Sequence, residues 1–364
     1  MRILVAGLFG RGVYEESYCR AFERAGHSVR RVPWGPLFSS GLAGRAQFRL
    51  QLGPAVRRLN RDLIEEVRAF HPDVVLVWRG IFVWPETLSA LRALSDRPLL
   101  LSYNNDDPFG DLRRDPIWRH HIRGLPNYDV CYVFRTQNVA EYLDAGARKA
   151  WLLRAHFDPE LHHPIDLDDE VRQRYASDVA FIGHYDARDT RVASIRALVE
   201  AGIQTRVYGQ IRRKSVLDRL VSVALVTGRA QWPEEVVAKL GAEFRAPVEG
   251  IHYAEALNAT ELPLSFLSVG NRDTYTRRCF EIPACRRPLV SIRTDDLRSL
   301  FAEGEEAVFF STPGELVEKA RALLADPAAR QRIADAGYRR VYRDGHDIDS
   351  RAAEMLEVAL STRG

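Results

Sequence analysis

Short runs rich in apolar and β-branched residues recur through the first half of the chain, at residues 3–6, 29–32, 74–77, 99–103, 130–134 and 151–153. Runs of this kind mark strands covered on both faces. Between them, residues 14–25, 55–70, 85–93 and 137–144 carry apolar positions at helical spacing. Strands alternating with helices predict a parallel, doubly wound sheet.

The chain turns polar and acidic from His162 to Asp169, and a second βα series follows with strands at residues 179–182, 205–208, 262–266, 289–291 and 307–310. This pattern predicts α/β architecture with two Rossmann-like parallel-sheet domains, residues 1–168 and 169–364, facing a cleft. Ligands in such sheets bind beyond the carboxyl ends of the strands, so function is expected there. The terminal run 348–360 places Ala352, Met355, Leu356, Ala359 and Leu360 on one stripe and needs a surface to cover.

Composition narrows the function classes. The net charge of +3 comes with no recognisable nucleic-acid-binding signature, so no nucleic-acid partner is expected. Cys19, Cys131, Cys279 and Cys285 are scattered without a CxxC pair and read as buried thiols. No apolar stretch reaches the roughly 18 residues of a membrane span, and Met1 leads into the first strand without a signal-peptide pattern. A cytoplasmic location follows as the expectation. The basic and apolar segment 211–228 fits either contact with anionic lipid or a buried helix with a charged start.

The chemistry concentrates in Arg278-Cys279-Phe280-Glu281-Ile282-Pro283-Ala284-Cys285, which puts one carboxylate at a turn feeding a short helix and then a strand. Glu281 can complement a helix dipole, or its two oxygens can accept hydrogen bonds from a vicinal diol such as a ribose. Arg277 and Arg278 could fork onto a diphosphate, helped by free N–H groups at the helix start. Arg278-x-Phe280-Glu281, followed by His346 and Arg351, resembles the CgeB-like family of bacterial glycosyltransferases, and the order of elements resembles the nucleotide-binding half of GT-B enzymes.

The resemblance implies a GT-B glycosyltransferase moving a sugar from a nucleotide-diphosphate donor to an acceptor, with retention of configuration, no metal and no cofactor. It implies that Glu281 holds the ribose and Arg278 the leaving diphosphate, and that the final helix crosses back onto the first domain. Two departures stand out. The acidic position eight residues before Glu281 holds Asp273, which either approaches the transferred sugar or caps the next helix. Arg286 stands where glycine is usual and implies a different turn at that helix end.

Other candidates lie at strand ends. Gly183 and His184, with Arg188 and Arg191 soon after, follow the strand at 179–182 and are expected to face the donor phosphates. Asn104-Asn105-Asp106-Asp107-Pro108 follows the strand at 99–103, where Asp106 or Asp107 could receive an acceptor proton or simply form an acidic turn. Gly7-Leu8-Phe9-Gly10-Arg11-Gly12 follows the first strand without the GxGxxG spacing, and Trp78-Arg79-Gly80 ends another. Asp166-Leu167-Asp168 spells a DxD but reads as a solvated linker turn. His120-His121 and His162-His163 are adjacent pairs that cannot share a face, so no metal site is expected. Two further readings use the same fold: a sugar-nucleotide epimerase or hydrolase, and a non-catalytic sugar-nucleotide-binding protein.

Overall fold

Six parallel strands build the first sheet: β1 (Arg2–Gly7), β2 (Ser28–Pro33), β3 (Val74–Trp78), β4 (Leu99–Asn104), β5 (Val130–Val133) and β6 (Ala150–Leu152). Their order is β2-β1-β3-β4-β5-β6, so the chain reverses direction across the sheet between β1 and β3. The computed structural model describes residues 1–9, 14–38, 41–110, 116–212 and 231–363. It divides into one unit of Met1–Arg154 with Ile348–Gly364 and a second of Ala155–Asp347. The expected boundary at 168 therefore falls inside the second unit.

Strand side chains alternate between two buried faces, which explains the apolar runs in the sequence. Leu4, Ala6, Val75, Val77, Leu100 and Val133 pack under Val56, Leu59, Leu63 and Val67 of the helix Pro54–Phe70. On the opposite face, Ile3, Val5, Leu76, Leu101, Val130 and Tyr132 lie under Tyr18 and Phe22 of Tyr14–Arg24. Ala352, Met355, Leu356 and Ala359 of Ile348–Leu360 complete that face. The last helix is fixed by polar contacts as well: the Tyr132 hydroxyl donates to the Met355 carbonyl at 2.5 Å, and Trp151 Nε1 donates to Glu354 at 2.9 Å.

The second unit repeats the plan with β7 (Ser177–Ile182), β8 (Thr205–Tyr208), β11 (Glu243–Arg245), β12 (Thr260–Ser265), β13 (Val290–Ile292) and β14 (Val308–Phe310). Two short strands, β9 (Ile211–Arg212) and β10 (Trp232–Pro233), pair separately. The main order is β11-β8-β7-β12-β13-β14, all parallel, with the reversal between β7 and β12. Val179, Phe181, Val207, Leu264 and Phe310 pack beneath Ile195 and Leu198 of Arg191–Glu200 and Leu316, Ala320 and Leu323 of Pro313–Ala325.

The polar stretch after His162 exposes Asp166, Asp168 and Asp169 to solvent, as expected of an acidic turn, and is anchored to the second unit. Ile165 N donates to Asn258 Oδ1 at 3.0 Å, and Asn258 Nδ2 donates to the His163 carbonyl at 3.1 Å, which staples the stretch to the helix Ile251–Ala259. Asp168 of the DxD is an N-cap, accepting from Val171 N at 2.8 Å at the start of Asp169–Tyr175. All four cysteines are free and buried. Of the basic and apolar segment 211–228, everything after Arg212 lies outside the described residues.

Met355 is fully buried between the last helix and the sheet. Met355→Ala should destabilise the first unit by about 2–5 kcal/mol through lost burial and the cavity left behind. Denaturant unfolding followed by fluorescence measures this, and a loss below about 1 kcal/mol would show that the helix contributes little to the unit.

Candidate functional site

The strand-order reversal of the second sheet selects the loops after β7 and β12, where diverging crossovers leave a crevice at the carboxyl edge. Both loops carry residues singled out in the sequence. Gly183 is buried, with no room for a Cβ beside the Phe181 ring, and its carbonyl accepts from Trp232 Nε1 at 3.0 Å. Packing therefore requires glycine here independently of any ligand.

Arg191 is directed inward. Only 5 % exposed, it donates to Asp189 at 2.8 Å, to the His184 carbonyl and to the Leu267 carbonyl at 3.5 Å, so it ties the two loops together. The expected direct contact with donor phosphates does not fit a guanidinium spent in this way. Exposed Arg188 donates to Asp186 at 3.1 Å and lies across Gly270, so any side chain at 270 would displace it. His184 is exposed on the same loop.

Asp273 does not cap the following helix, whose N-cap is Arg277. Its backbone N–H donates to the Ser268 carbonyl at 2.9 Å and its carboxylate accepts from Ser268 N at 3.3 Å, closing the loop after β12 on itself. The loop is further held by Thr274, whose hydroxyl donates to Asp296 at 2.7 Å.

The helix Arg278–Ala284 begins where this loop ends. Three of the N–H groups near its start are already used: Cys279 N donates to the Thr276 carbonyl, and Phe280 N and Glu281 N to the Arg277 carbonyl, at 2.9–3.1 Å. A 3₁₀-like first turn consumes them. Phe280 is fully buried and stacks on His346 with centroids 4.1 Å apart, so the aromatic of the motif fixes the helix. Arg286 adopts φ 54°, the left-handed conformation that glycine supplies more cheaply. The turn is thus the glycine-type turn, contrary to the expectation of a different one, and Arg286 is held in it by Asp335 at 2.5 Å.

Glu281 is the centre of the site, and it is 2 % exposed. The Tyr253 hydroxyl donates to its Oε2 at 2.6 Å, Arg277 Nε pairs with Oε1, and His162 Nε2 stands 3.7 Å from Oε1. Burial alone would raise its pKa, but Arg277, His162, Tyr253 and Arg278 together outweigh burial and hold it at about 2. His162 accepts from Asp158 N on Nδ1 at 3.0 Å, so its proton sits on Nε2, facing the carboxylate. Burial keeps that imidazole neutral, its pKa lowered despite Glu281.

Arg277, with 19 % of its side chain exposed, is the most open of the groups touching Glu281. Arg278 is half-buried and its Nε has no hydrogen-bond partner. A buried guanidinium nitrogen without a partner is a donor left unspent by the fold. Tyr253 and His162 were not legible as site residues, since nothing in their spacing connects them to Glu281.

In the first unit, the reversal between β1 and β3 selects the ends of β1, β3 and β4 in the same way. Asp106 pairs with Arg79 at 2.5 Å and keeps 23 % of its side chain exposed. Asp107 is fully buried, accepting from Phe109 N, Gly110 N and Asn138 Nδ2 at 2.9–3.1 Å. It organises the turn and is not positioned to meet an acceptor. Trp78 packs against Tyr103 at 4.5 Å, edge to face. Glu15, missed in the sequence, is 6 % exposed beside Gly7, and burial raises its pKa. Gly10, Arg11 and Gly12 lie outside the described residues, and among those described no cluster of three or more His, Cys, Asp or Glu could hold a metal ion.

Residues 191–357 match the model of a glycosyl transferase-like family. No curated protein matches the chain. Among solved structures, a sucrose-phosphate synthase from Thermosynechococcus elongatus is similar at 15% identity and TM-score 0.69, with 99% of this chain and 98% of that one covered. Anabaena Alr3699/HepE in complex with UDP-glucose is similar at 14% identity and TM-score 0.68, over 99% and 100% of the two chains. An E. coli trehalose-6-phosphate structure bound with UDP-2-fluoro glucose gives 11% identity and TM-score 0.64, with 99% of each covered. The fold is that of GT-B glycosyltransferases. The GT-B fold and the family match together support a transferase enzyme.

Because the pKa of Glu281 is depressed from 4.5 to about 2, its ionisation stabilises the fold fully above about pH 4.5 and progressively less as pH falls toward 2. Glu281→Gln should flatten that part of the stability–pH curve relative to wild type. Arg277→Met should do the reverse of what Arg277 does, raising the carboxyl pKa and moving the loss to higher pH. Urea midpoints from about pH 3 to 7 test both, and parallel curves for all three proteins would contradict the assigned ionisation.

Proposed function

We propose that this protein transfers a sugar from a nucleotide-diphosphate donor to an acceptor, binding the donor at the carboxyl edge of β7 and β12. The observation that supports this best is the pairing of an ionised, buried carboxylate with an arginine whose Nε lacks a partner, in the loop region where a doubly wound sheet takes ligands. Glu281 would accept the two ribose hydroxyls, and Arg278 would hold the diphosphate. Since Arg277 covers Oε1, a ribose reaching Glu281 displaces that guanidinium, which becomes free to follow the negative charge of the diphosphate. Arg188 and His184, exposed on the loop after β7, belong to the donor side; Arg191 and Gly183 shape that loop.

Catalysis in this reading is positioning plus charge stabilisation. Arg278, fixed through Phe280, offers its field to the departing diphosphate. Asp273, on the loop after β12, stands on the transferred-sugar side. The chemistry needs no cofactor and is proposed to proceed without metal and with retention. Asp106, oriented by Arg79, is the acceptor-side carboxylate, and the acceptor is a hydroxylated molecule such as a sugar or glycan. UDP-glucose is the first donor to try, because HepE binds it within the same fold.

Titration calorimetry with UDP-glucose and related sugar nucleotides tests the donor site. Glu281→Gln should weaken donor binding by about tenfold or more, corresponding to about 1.4 kcal/mol, with unfolding still cooperative. Unchanged affinity in that folded variant would remove the ribose role. Arg278→Ala should lower turnover more than ground-state binding, whereas equal losses would mark it as a binding residue only. Consumption of donor at the full rate without any acceptor would instead identify a hydrolase or epimerase.

A further inference from the structure

The helix Leu42–Leu50 is amphipathic in the wrong sense for a helix facing water. Gly44 is its one buried residue, and Gln47 and Phe48 are half-buried, with Phe48 packed against Phe38 and Phe82 at 5.3 and 4.9 Å. The opposite face presents Leu42, Ala43, Ala46 and Leu50, all exposed. At about 100° per residue these four span one continuous apolar stripe. Among the described residues, the three most exposed large hydrophobics are Leu42 at 73%, Leu50 at 60% and Leu52 at 52%. All three fall in this helix and the turn after it. Single exposed leucines are ordinary; a contiguous patch marks an interaction surface.

Charge indicates the partner. Between Glu23 and Asp62 the sequence has eight arginines, at positions 24, 30, 31, 45, 49, 57, 58 and 61, and no acidic residue. Arg24, Arg30 and Arg31 pair with Asp349, Glu66 and Glu16, and Arg58 and Arg61 with Asp62 of their own helix. Arg45, on the same helix, and Arg57, five residues after Leu52, are both exposed and have no carboxylate partner among the described residues. An apolar stripe accompanied by exposed arginines is complementary to an anionic lipid surface, into which a short helix can lie flat. We propose that Leu42, Leu50 and Leu52, with Arg45 and Arg57, dock this protein on an anionic bilayer. The surface is separate from the donor site and does not depend on the proposed function.

Flotation of the full chain with vesicles of mixed phosphatidylglycerol and phosphatidylcholine, against vesicles of phosphatidylcholine alone, tests the proposal. The protein should float with the anionic vesicles and not with the neutral ones, and high salt should weaken the association. Combining Leu42→Ser, Leu50→Ser and Leu52→Ser should lower the bound fraction by at least about tenfold, and Arg45→Glu with Arg57→Glu should do likewise. Because these side chains are exposed, thermal midpoints should stay at the wild-type value, which separates lost docking from lost folding. A wild-type chain that does not float, or leucine variants that still float, overturns the proposal. So does a wild-type dimer in size exclusion that the leucine variant converts to monomer, since the face would then belong to a second copy.

Discussion

An ionised carboxylate can be buried only where donors and cations converge on it, and that requirement at Glu281 organises the second unit. Three separated segments supply the compensation: His162 from the stretch before β7, Tyr253 from the helix Ile251–Ala259, and Arg277 from the loop after β12. Each alone is insufficient against the cost of desolvation. Together they reverse it, holding the group at about 2 when burial by itself would drive it upward. The same convergence leaves the Arg278 Nε with its hydrogen-bonding capacity unspent.

Around this centre basic residues hold loops and turns in place. Arg191 ties the loop after β7 to the loop after β12 through Asp189 and two carbonyls. Arg286 accepts a left-handed backbone, which costs roughly 1–2 kcal/mol in an L-residue, with Asp335 as its partner. In the first unit, Arg79 likewise orients Asp106, while the adjacent Asp107 is consumed by its own turn. Adjacent acids of identical type thus have different surroundings: Asp106 stays partly exposed beside Arg79, while Asp107 is buried in its own turn.

The site was legible where chemistry and local position coincide. Glu281 and Arg278 stand in one heptapeptide that feeds a helix, so their proximity follows from the chain itself. Asp106 follows from its place just beyond a strand. His162 and Tyr253 could not be read in the same way, because they meet Glu281 across 119 and 28 positions of sequence. Arg191 and Gly183 were legible as members of the right loop but not in role. A guanidinium forking onto phosphate and one forking onto backbone carbonyls have the same sequence signature, and only burial distinguishes them.

The sequence by itself determined the two parallel-sheet units, since unbroken apolar runs alternating with amphipathic helices have few other ways to bury both strand faces. It also determined that the last helix carried a stripe requiring a cover, which Tyr18, Phe22 and the β4–β5 face provide. Tertiary structure alone decided which polar groups are spent and which are free: that Asp168 caps a helix, that Glu281 sits beneath Arg277, and that Leu42, Leu50 and Leu52 face outward. The reason is that periodicity fixes the spacing of side chains along an element, whereas their partners are set by where distant elements meet.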